Sequence, residues 1–462
     1  MLKNSKKILC IFFLWLAVTN AAYSQEEADK ALRLEEFIKQ ACQKDTVFQQ
    51  ILIDGLALKY EKALQLPAAD LVMSLEGQYD FLYRPDYNDP ESSISLSKLF
   101  PYTGTEVEAG YSSSLAVNTR RVTSDFTVKV SQPIAQNAFG KNTRLLEKIV
   151  GLEIEVAKHQ IIEAYEDYLA ALTRLYYDWY SAYENLKTGQ NSYNENMKLL
   201  ENIKEREKNK IALPIDTNKL TLQVIAKEEN LISLRNSYES YLNLIKEAIR
   251  YEGIGEFFPQ DSSLYAELKI MFEKDYERFK QESRTSQVLF SLEKKSLIEI
   301  DKYADELLPS INIFAGYSLD GTQHDLGDKE KMAFVGASFD WPFPGQVETA
   351  EYETTKIDSK KTFLSSESTR VQLYTKLKNI HIAIEREKKL IGLSEDKIKL
   401  ARSIVNDETE NYSLGRATLN DLIDEINKLE DNKFSKISHQ IQLKKLTIEW
   451  LRLSDSLVAE SD

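Results

Sequence analysis

The chain has 462 residues and a formal net charge of −14 at neutral pH, from 73 Asp and Glu against 59 Lys and Arg. This acidic balance argues against nucleic acid or an anionic membrane surface as a partner. Glycine and proline are scarce, at 16 and 10 residues, and Leu, Lys, Glu and Ile fill long stretches, which is the composition of extended helices.

Residues 1–24 have the pattern of a secretory signal peptide. Three lysines precede an apolar run over residues 8–18, and small residues at −3 and −1 predict cleavage before Gln25. The run is too short to span a bilayer, which argues against a retained anchor. The mature chain would then keep one cysteine, Cys42, and form no internal disulfide.

The segment 25–250 begins with a predicted helix and continues with predicted strands. The helix covers Glu26 to Leu66 and ends at a proline, Pro67. Strands are predicted over about 70–133, because apolar and polar side chains alternate there with a period of two. The alternation covers Leu71–Tyr83, Thr105–Val117 and Phe126–Ser131, and Ser93–Phe100 is a shorter, less regular candidate.

A long helix is predicted from Asn142 to about Asn209. Apolar residues step by four and three along it, at Ile161, Tyr165, Tyr168, Leu172, Leu175, Trp179, Ala182 and Leu186. A second row lies beside the first, at Leu169, Thr173, Tyr176, Tyr180 and Tyr183. Two adjacent rows let a helix contact a neighbour on each side, as in a closed barrel of helices, although a wide face on an ordinary core would give the same pattern.

After a turn at 210–214, a second helix is predicted to about Ile249, and residues 251–262 are the clearest linker. The segment 263–462 then predicts a helix to Leu308 and strands over about 310–342. The two strands, Ile311–Leu319 and Ala333–Trp341, are separated by a predicted polar loop, Asp320–Lys331.

The second long helix is predicted from about Val347 to a turn at 412–418. It carries a strict heptad, which keeps one face toward a partner helix, at Leu377, Ile384, Ile391, Ile398, Val405 and Tyr412. At 1.5 Å per residue this helix would be about 100 Å long. A further helix follows the turn.

The two segments repeat the same order of elements. Gly140 and Gly345 precede the two long helices, and Asp216 and Asp421 follow the two turns; both pairs are separated by 205 residues (345 − 140 and 421 − 216). An internal duplication of a helix–strand–helix unit is therefore predicted.

These residues resemble the TolC family of outer-membrane efflux proteins. The resemblance covers the mature chain in the right order, and its most specific parts are Glu306–Ile313, Phe339–Gly345, Ser131–Ile134 with Phe139-Gly140, and Tyr412–Asp424. It implies an α+β membrane protein: a trimeric outer-membrane β-barrel continuous with a long periplasmic α-helical barrel, built from two internal helix–strand–helix repeats. Family protomers usually contribute four barrel strands, whereas here the first repeat offers up to four candidates and the second two.

The implied function is an outer-membrane exit duct of a tripartite efflux or type I secretion system. Its partners would be two further copies in a homotrimer, outer-membrane lipid, a periplasmic adaptor protein and an inner-membrane RND or ABC transporter. No enzymatic activity, cofactor or metal is predicted, because catalytic and phosphate-binding signatures are absent and the four histidines lack metal-ligand spacing. The alternative is a secreted or surface coiled-coil protein without a channel.

The resemblance places an adaptor-docking surface at the two turns. Its expected residues are Ala212, Leu213 and Pro214 in the first turn and Leu414, Gly415, Ala417, Thr418 and Leu419 in the second. The same residues would also serve as ordinary helix caps. Because Lys210 stands where the second turn has Gly415, the first turn is expected to adopt a different conformation.

The resemblance also places a channel entrance beside the second turn. Asp421 and Asp424 match acidic positions that line the family's constriction, Asp216 is the counterpart of Asp421 in the first repeat, and Arg416 stands beside Ala417, on which a family arginine falls. Three copies would form carboxylate rings that favour cations. The alternative role is that aspartates at helix N-termini complement the helix dipole.

Overall fold

The structure is a computed structural model, and it describes residues 31–79, 90–116, 121–251, 257–261, 270–322 and 325–458. The predicted signal peptide, the end of the first predicted strand beyond Tyr79 and most of the predicted linker lie outside the described residues. The chain divides into two compact units. Among the described residues, those within 31–53, 161–283 and 371–458 form the helical unit, and those within 54–160 and 284–370 form the sheet unit.

The helices, in chain order, are α1 (Leu34–Lys44), α2 (Thr46–Gln65), α3 (Lys141–Lys208), α4 (Pro214–Ala248), α5 (Phe272–Glu282), α6 (Arg284–Glu306), α7 (Gln346–Ser413) and α8 (Leu419–Leu453). The long helices α3 and α7 have 68 residues each, and α4 and α8 have 35 residues each. Each later helix begins 205 residues after its counterpart (346 − 141 and 419 − 214), which is the offset of the predicted duplication.

The strands are β1 (Ala31–Leu32), β2 (Leu71–Tyr79), β3 (Pro90–Phe100), β4 (Thr105–Ala116), β5 (Arg121–Pro133), β6 (Phe258–Pro259), β7 (Ser310–Thr322) and β8 (Asp325–Asp340). Six of them form one antiparallel sheet in the sheet unit, in the order β2-β3-β4-β5-β7-β8. The irregular candidate 93–100 is therefore a full strand, and both hairpins of the first segment belong to one sheet.

The polar loop predicted at Asp320–Lys331 is wrong. β7 continues to Thr322 and β8 begins at Asp325, and the pairing register shifts between Asp320 and Gly321. Several of these polar residues are paired in a longer hairpin, Asp320 with Glu330 and Thr322 with Asp325. Alternation of apolar and polar residues stops at Leu319 because polar side chains lie on both faces beyond it, so the pattern no longer indicates a strand.

The two helices that were predicted as continuous are each broken by one extended residue. Asp45 (ψ 127°) separates α1 from α2, and Ser283 (ψ 143°) separates α5 from α6. Asp45 has a local reason to end the helix: its Oδ1 accepts a hydrogen bond from Val47 N at 3.0 Å, and its Oδ2 accepts one from Tyr168 OH at 2.6 Å. A side chain that caps the next helix offers its backbone an alternative to continuing the first.

The core of the helical unit consists of several clusters in which the long helices pack with the shorter helices α1 and α5. Tyr176 and Trp179 on α3 are fully buried, and Leu377 and Ile384 of the α7 heptad are 1% exposed. Both predicted rows of α3 are buried or half-buried, and the remaining heptad residues of α7 are half-buried. The periodicities therefore identified the faces that pack inside this unit.

None of the helices in the described part of the chain combines the length and the apolar character needed to cross a membrane.

Candidate functional site

The turns after α3 and α7 have the same backbone conformation, so the predicted difference between them is wrong. Lys210 has φ +59° and Gly415 has φ +70°. In the first turn Ile211 N donates to Arg206 O, and in the second Arg416 N donates to Asn411 O, both at 2.8 Å. These six-to-one hydrogen bonds define a Schellman motif, which requires a left-handed residue but not a glycine. Lys210 therefore adopts the left-handed conformation, which costs L-residues about 1–2 kcal/mol.

The helices that follow the turns begin with an aspartate at the third helical position. Asp421 Oδ2 accepts a hydrogen bond from Thr418 N at 3.0 Å, and Thr418 Oγ1 accepts one from Asp421 N at 3.3 Å, which forms a reciprocal capping box. The hydrogen bonds from the Thr418 hydroxyl and amide lower the pKa of Asp421. In the first turn, Asp216 Oδ2 lies 3.4 Å from Leu213 N. The two aspartates therefore lie at the N-terminal ends of α4 and α8, within hydrogen-bonding distance of the backbone that precedes each helix.

The predicted docking residues are divided between an exposed surface and the packing beneath it. Leu213 is 64% exposed and Leu414 is 57% exposed, whereas Leu419 is 3% exposed. Leu419 packs with α3 and α4 in a cluster that also includes the half-buried Ala212. Pro214, Gly415 and Thr418 are exposed, and Ala417 is half-buried. Ile211, also in the first turn, is 65% exposed, so the turns present three large apolar side chains on a packed base.

The predicted entrance residues are not brought together into one contact within the chain. Asp424 and Arg416 are exposed and Asp216 is half-buried. Arg206, which was not predicted, lies 5.1 Å from the ring centroid of Tyr412. Grouping of the carboxylates would need further copies of the chain.

A buried polar group that the sequence analysis missed lies farther along α3, α4 and α8 from these caps. Glu430 on α8 is 5% exposed, and its Oε2 accepts a hydrogen bond from Ser192 Oγ at 2.8 Å and pairs with Lys227 Nζ. Beside it, Gln223 Nε2 donates to Asn427 Oδ1 at 2.7 Å. These contacts join α8 to α3 and α4. The sequence signal that could have indicated this group is the charged residue Glu430, which directly follows the apolar periodic position Leu429.

Glu387 joins α7 to α8 farther along. Its Oε2 lies 2.7 Å from His439 Nδ1, and Arg386 Nη2 donates to its Oε1 at 2.7 Å. Burial alone would raise the pKa of Glu387, but the hydrogen bonds from Arg386 and His439 outweigh it and lower the pKa. The carboxylate is therefore charged and paired at neutral pH.

The six-stranded sheet has one apolar and one polar face. The pairing register carries apolar residues across all six strands on one side, and several of them are strongly exposed: Leu71 (62%), Met73 (59%), Leu75 (69%), Tyr317 (43%), Val335 (78%) and Phe339 (62%). Soluble monomers rarely expose contiguous apolar patches of this kind. We call this side the apolar face and the opposite side the polar face.

One row of the polar face is polar on every strand. Direct pairing aligns Glu76, Ser93, Ser112, Asp125, Asp320 and Glu330. Ser318 Oγ lies 2.9 Å from Asp125 Oδ2 and 3.1 Å from Asp320 Oδ1, which links the carboxylates on β5 and β7. Within the described ranges, no group of three or more His, Cys, Asp and Glu side chains could hold a metal ion.

Aromatic side chains follow the end of β8. The ring centroid of Trp341 lies 6.5 Å from that of Phe339 and 6.1 Å from that of Phe343, both edge to face. The three rings are 55%, 62% and 86% exposed, respectively. Amphipathic and aromatic rings in such a position are typical of the boundary between an apolar layer and water.

Comparison with known proteins places this architecture among outer-membrane channels. No family model and no curated protein matches the sequence. Solved structures do match: the outer-membrane channel OprN (TM-score 0.70, 12% identity, 92% of this chain and 90% of that one) and the outer membrane protein VceC of Vibrio cholerae (0.69, 12%, 91% and 95%). The open-state MtrE outer membrane channel of Neisseria gonorrhoeae also matches (0.66, 13%, 95% and 95%).

These similarities extend over nearly the whole chain, which therefore has the fold of outer-membrane channels. The predicted resemblance to the TolC family, itself a family of such channels, is confirmed at the level of the fold.

Proposed function

We propose that the protein is an outer-membrane exit duct, in which three copies form a β-barrel in the outer membrane and an α-helical barrel in the periplasm. The observation that carries this proposal is the single antiparallel sheet with one exposed apolar face and one polar face. In a membrane barrel the apolar face contacts lipid and the polar face lines an aqueous lumen. A coiled-coil protein in water would not need a sheet with an exposed apolar face.

The homotrimer is supported by apolar stripes on the outside of the helical unit. On α7 the exposed residues Val371, Ile382, Leu393 and Ile404 recur every 11 residues and are 43–58% exposed. A spacing of 11 residues over three turns (about 3.67 per turn) follows a nearly straight line along a helix. Because the heptad of α7 packs inside the unit, this second stripe is free for a neighbouring copy. Leu222 and Ile232 give α4 a comparable exposed surface.

The tip turns are proposed to dock a periplasmic adaptor, which would connect the duct to an inner-membrane RND or ABC transporter. The exposed Leu213 and Leu414 would supply the apolar contacts, on the base formed by Leu419. We further propose that Asp424, Asp421, Asp216 and Arg416 surround the lumen entrance of the trimer, with Asp421 charged in its capping box.

Docking predicts that the tip matters for export but not for the pore. Leu213→Ser with Leu414→Ser should abolish export in cells that depend on the duct while leaving conductance in bilayers intact. Lys219→Ser, at an exposed position one turn along α4, is the control and should leave both intact. Unchanged export in the double variant would contradict docking at the turns.

The duct itself is tested by adding the purified mature protein to planar lipid bilayers. Stepwise ion conductance is expected, with a preference for cations because the row from Glu76 to Glu330 is acidic. A protein that is soluble without detergent and produces no conductance would contradict the proposal and favour the coiled-coil alternative.

A further inference from the structure

The first hairpin is an integral part of the sheet. β3 pairs with β2 over nine residue pairs and with β4 over ten, from Glu91–Ser114 to Phe100–Thr105. The chain therefore contributes six contiguous strands, whereas the resemblance implies four.

The turn between β3 and β4 is fixed to the start of α3. A Cβ on Gly140, whose φ is +72°, would lie 2.5 Å from the carbonyl carbon of Tyr102, so the two backbones touch. Arg144 Nη1 donates to Tyr102 O at 2.9 Å, and Gln132 Nε2 donates to Thr103 O at 2.8 Å. Tyr102 OH donates to Glu147 Oε1 at 3.2 Å. The hairpin is thus held in line with strands β5, β7 and β8, and moving it away would break all of these contacts.

The two edge strands of the sheet can pair with other copies. The order β2-β3-β4-β5-β7-β8 is antiparallel throughout, so the edge strands β2 and β8 run in opposite directions. All nine residues of β2 are exposed. Its apolar side, which includes Leu75, would continue the apolar side of β8, which includes Val335, without a change of face. In lipid an unpaired edge strand leaves backbone N–H and C=O groups without hydrogen bonds, and each such group costs several kcal/mol. Only closure of the sheet into a barrel removes the unpaired edges.

We infer that β2 of one copy pairs with β8 of the next, so that three copies close a barrel of 18 strands (3 × 6). This inference rests on the proposed trimer. Four strands per copy would give 12 (3 × 4). At a given tilt the circumference grows with the number of strands. With strands about 4.8 Å apart and tilted by about 40°, the backbone diameter is about 36 Å for 18 strands against about 24 Å for 12. The wider lumen suits bulkier cargo.

Cysteine cross-linking distinguishes the two closures. On a Cys42→Ser background, the first pair combines Ser74→Cys on β2 with a cysteine on β8, and the second combines Ser112→Cys on β4 with the same β8 cysteine. All positions lie on the polar face, and the β8 cysteine is placed at Met332 or Ser338 in turn, to allow for the stagger between copies. A short bismaleimide is applied to the detergent-extracted protein, and single-cysteine variants are the controls.

The β2–β8 pair is expected to give covalent dimers and trimers on a denaturing gel, and the β4–β8 pair and the single variants are expected to stay monomeric. Cross-linking of β4 to β8 without β2 to β8 would show a 12-stranded closure and overturn the inference. A trimer by light scattering that shows no β2–β8 product at either position would also overturn it. A monomer by light scattering would overturn the proposed function itself, which separates the two failures.

Discussion

Arginine substitutions on opposite faces of β8 test whether the apolar face meets lipid. Val335 is 78% exposed on the apolar face, and Met332 is 52% exposed on the polar face, three residues away on the same strand. In the isolated chain both positions are exposed, so Val335→Arg and Met332→Arg should each change stability by no more than about 0.5 kcal/mol.

In the membrane the two variants should differ. An arginine on the lipid face near the bilayer midplane costs about 2–4 kcal/mol, whereas an arginine in the lumen does not. At about 1.4 kcal/mol per tenfold change, Val335→Arg should lower the insertion equilibrium about 30- to 700-fold per chain. Met332→Arg should insert like the parent, because its register partner on β7 is Ser318, two residues from Asp320 in the acidic row.

The assay is flotation of the refolded variants with lipid vesicles, together with the trimer fraction on unheated gels. We expect loss of floating trimer for Val335→Arg and parental behaviour for Met332→Arg. Equal insertion of the two variants would refute the assignment of faces. Loss confined to Met332→Arg would reverse it.

Three further predictions concern the helical unit. Gly415→Ala should destabilise the second turn by about 1 kcal/mol, and Lys210→Gly should stabilise the first by a similar amount, because both sites have positive φ. Amide hydrogen exchange at each turn measures these changes in stability. A stabilising Gly415→Ala or a destabilising Lys210→Gly would contradict the shared motif. Glu430→Ala should destabilise the unit by about 3–5 kcal/mol in denaturant unfolding, because it leaves the half-buried Lys227 unpaired. Adding Lys227→Met should restore most of the loss, and no loss in Glu430→Ala would contradict the prediction. The pKa of Glu387 is lowered in the folded protein, so the stability it contributes is present above its ordinary pKa of 4.5 and is lost as pH falls below it. The protection of amides near this residue, measured against the intrinsic exchange rate at each pH, should fall below that pH in the parent but not in Glu387→Gln, and an equal fall in both would exclude this carboxylate as the cause.

Periodicity predicted most of the fold because each element buries or exposes one face along its whole length. The heptad of α7 and the paired rows of α3 follow from side-chain spacing alone. The breaks at Asp45 and Ser283 could not be predicted, because each depends on one residue with little effect on the apolar pattern. The full length of the β7–β8 hairpin was missed for the opposite reason, since its paired ends carry polar residues on both faces.

The candidate site was predictable in position more than in conformation. The two turns were located by their sequence offset. That they share one backbone conformation was not predicted, because a lysine in a left-handed conformation cannot be recognised from composition. The buried group around Glu430 depends on residues from three helices. Ser192 and Lys227 lie 238 and 203 residues from Glu430 in the sequence, so their proximity to it appears only in the fold.

In the proposed assembly, three copies of this chain form a channel through the outer membrane. Electron-microscope images of the detergent-extracted mature protein, viewed end on, test it most directly. We predict rings with three-fold symmetry and a stain-filled centre. Monomers that stay soluble without detergent, or solid rods without a lumen, would contradict it.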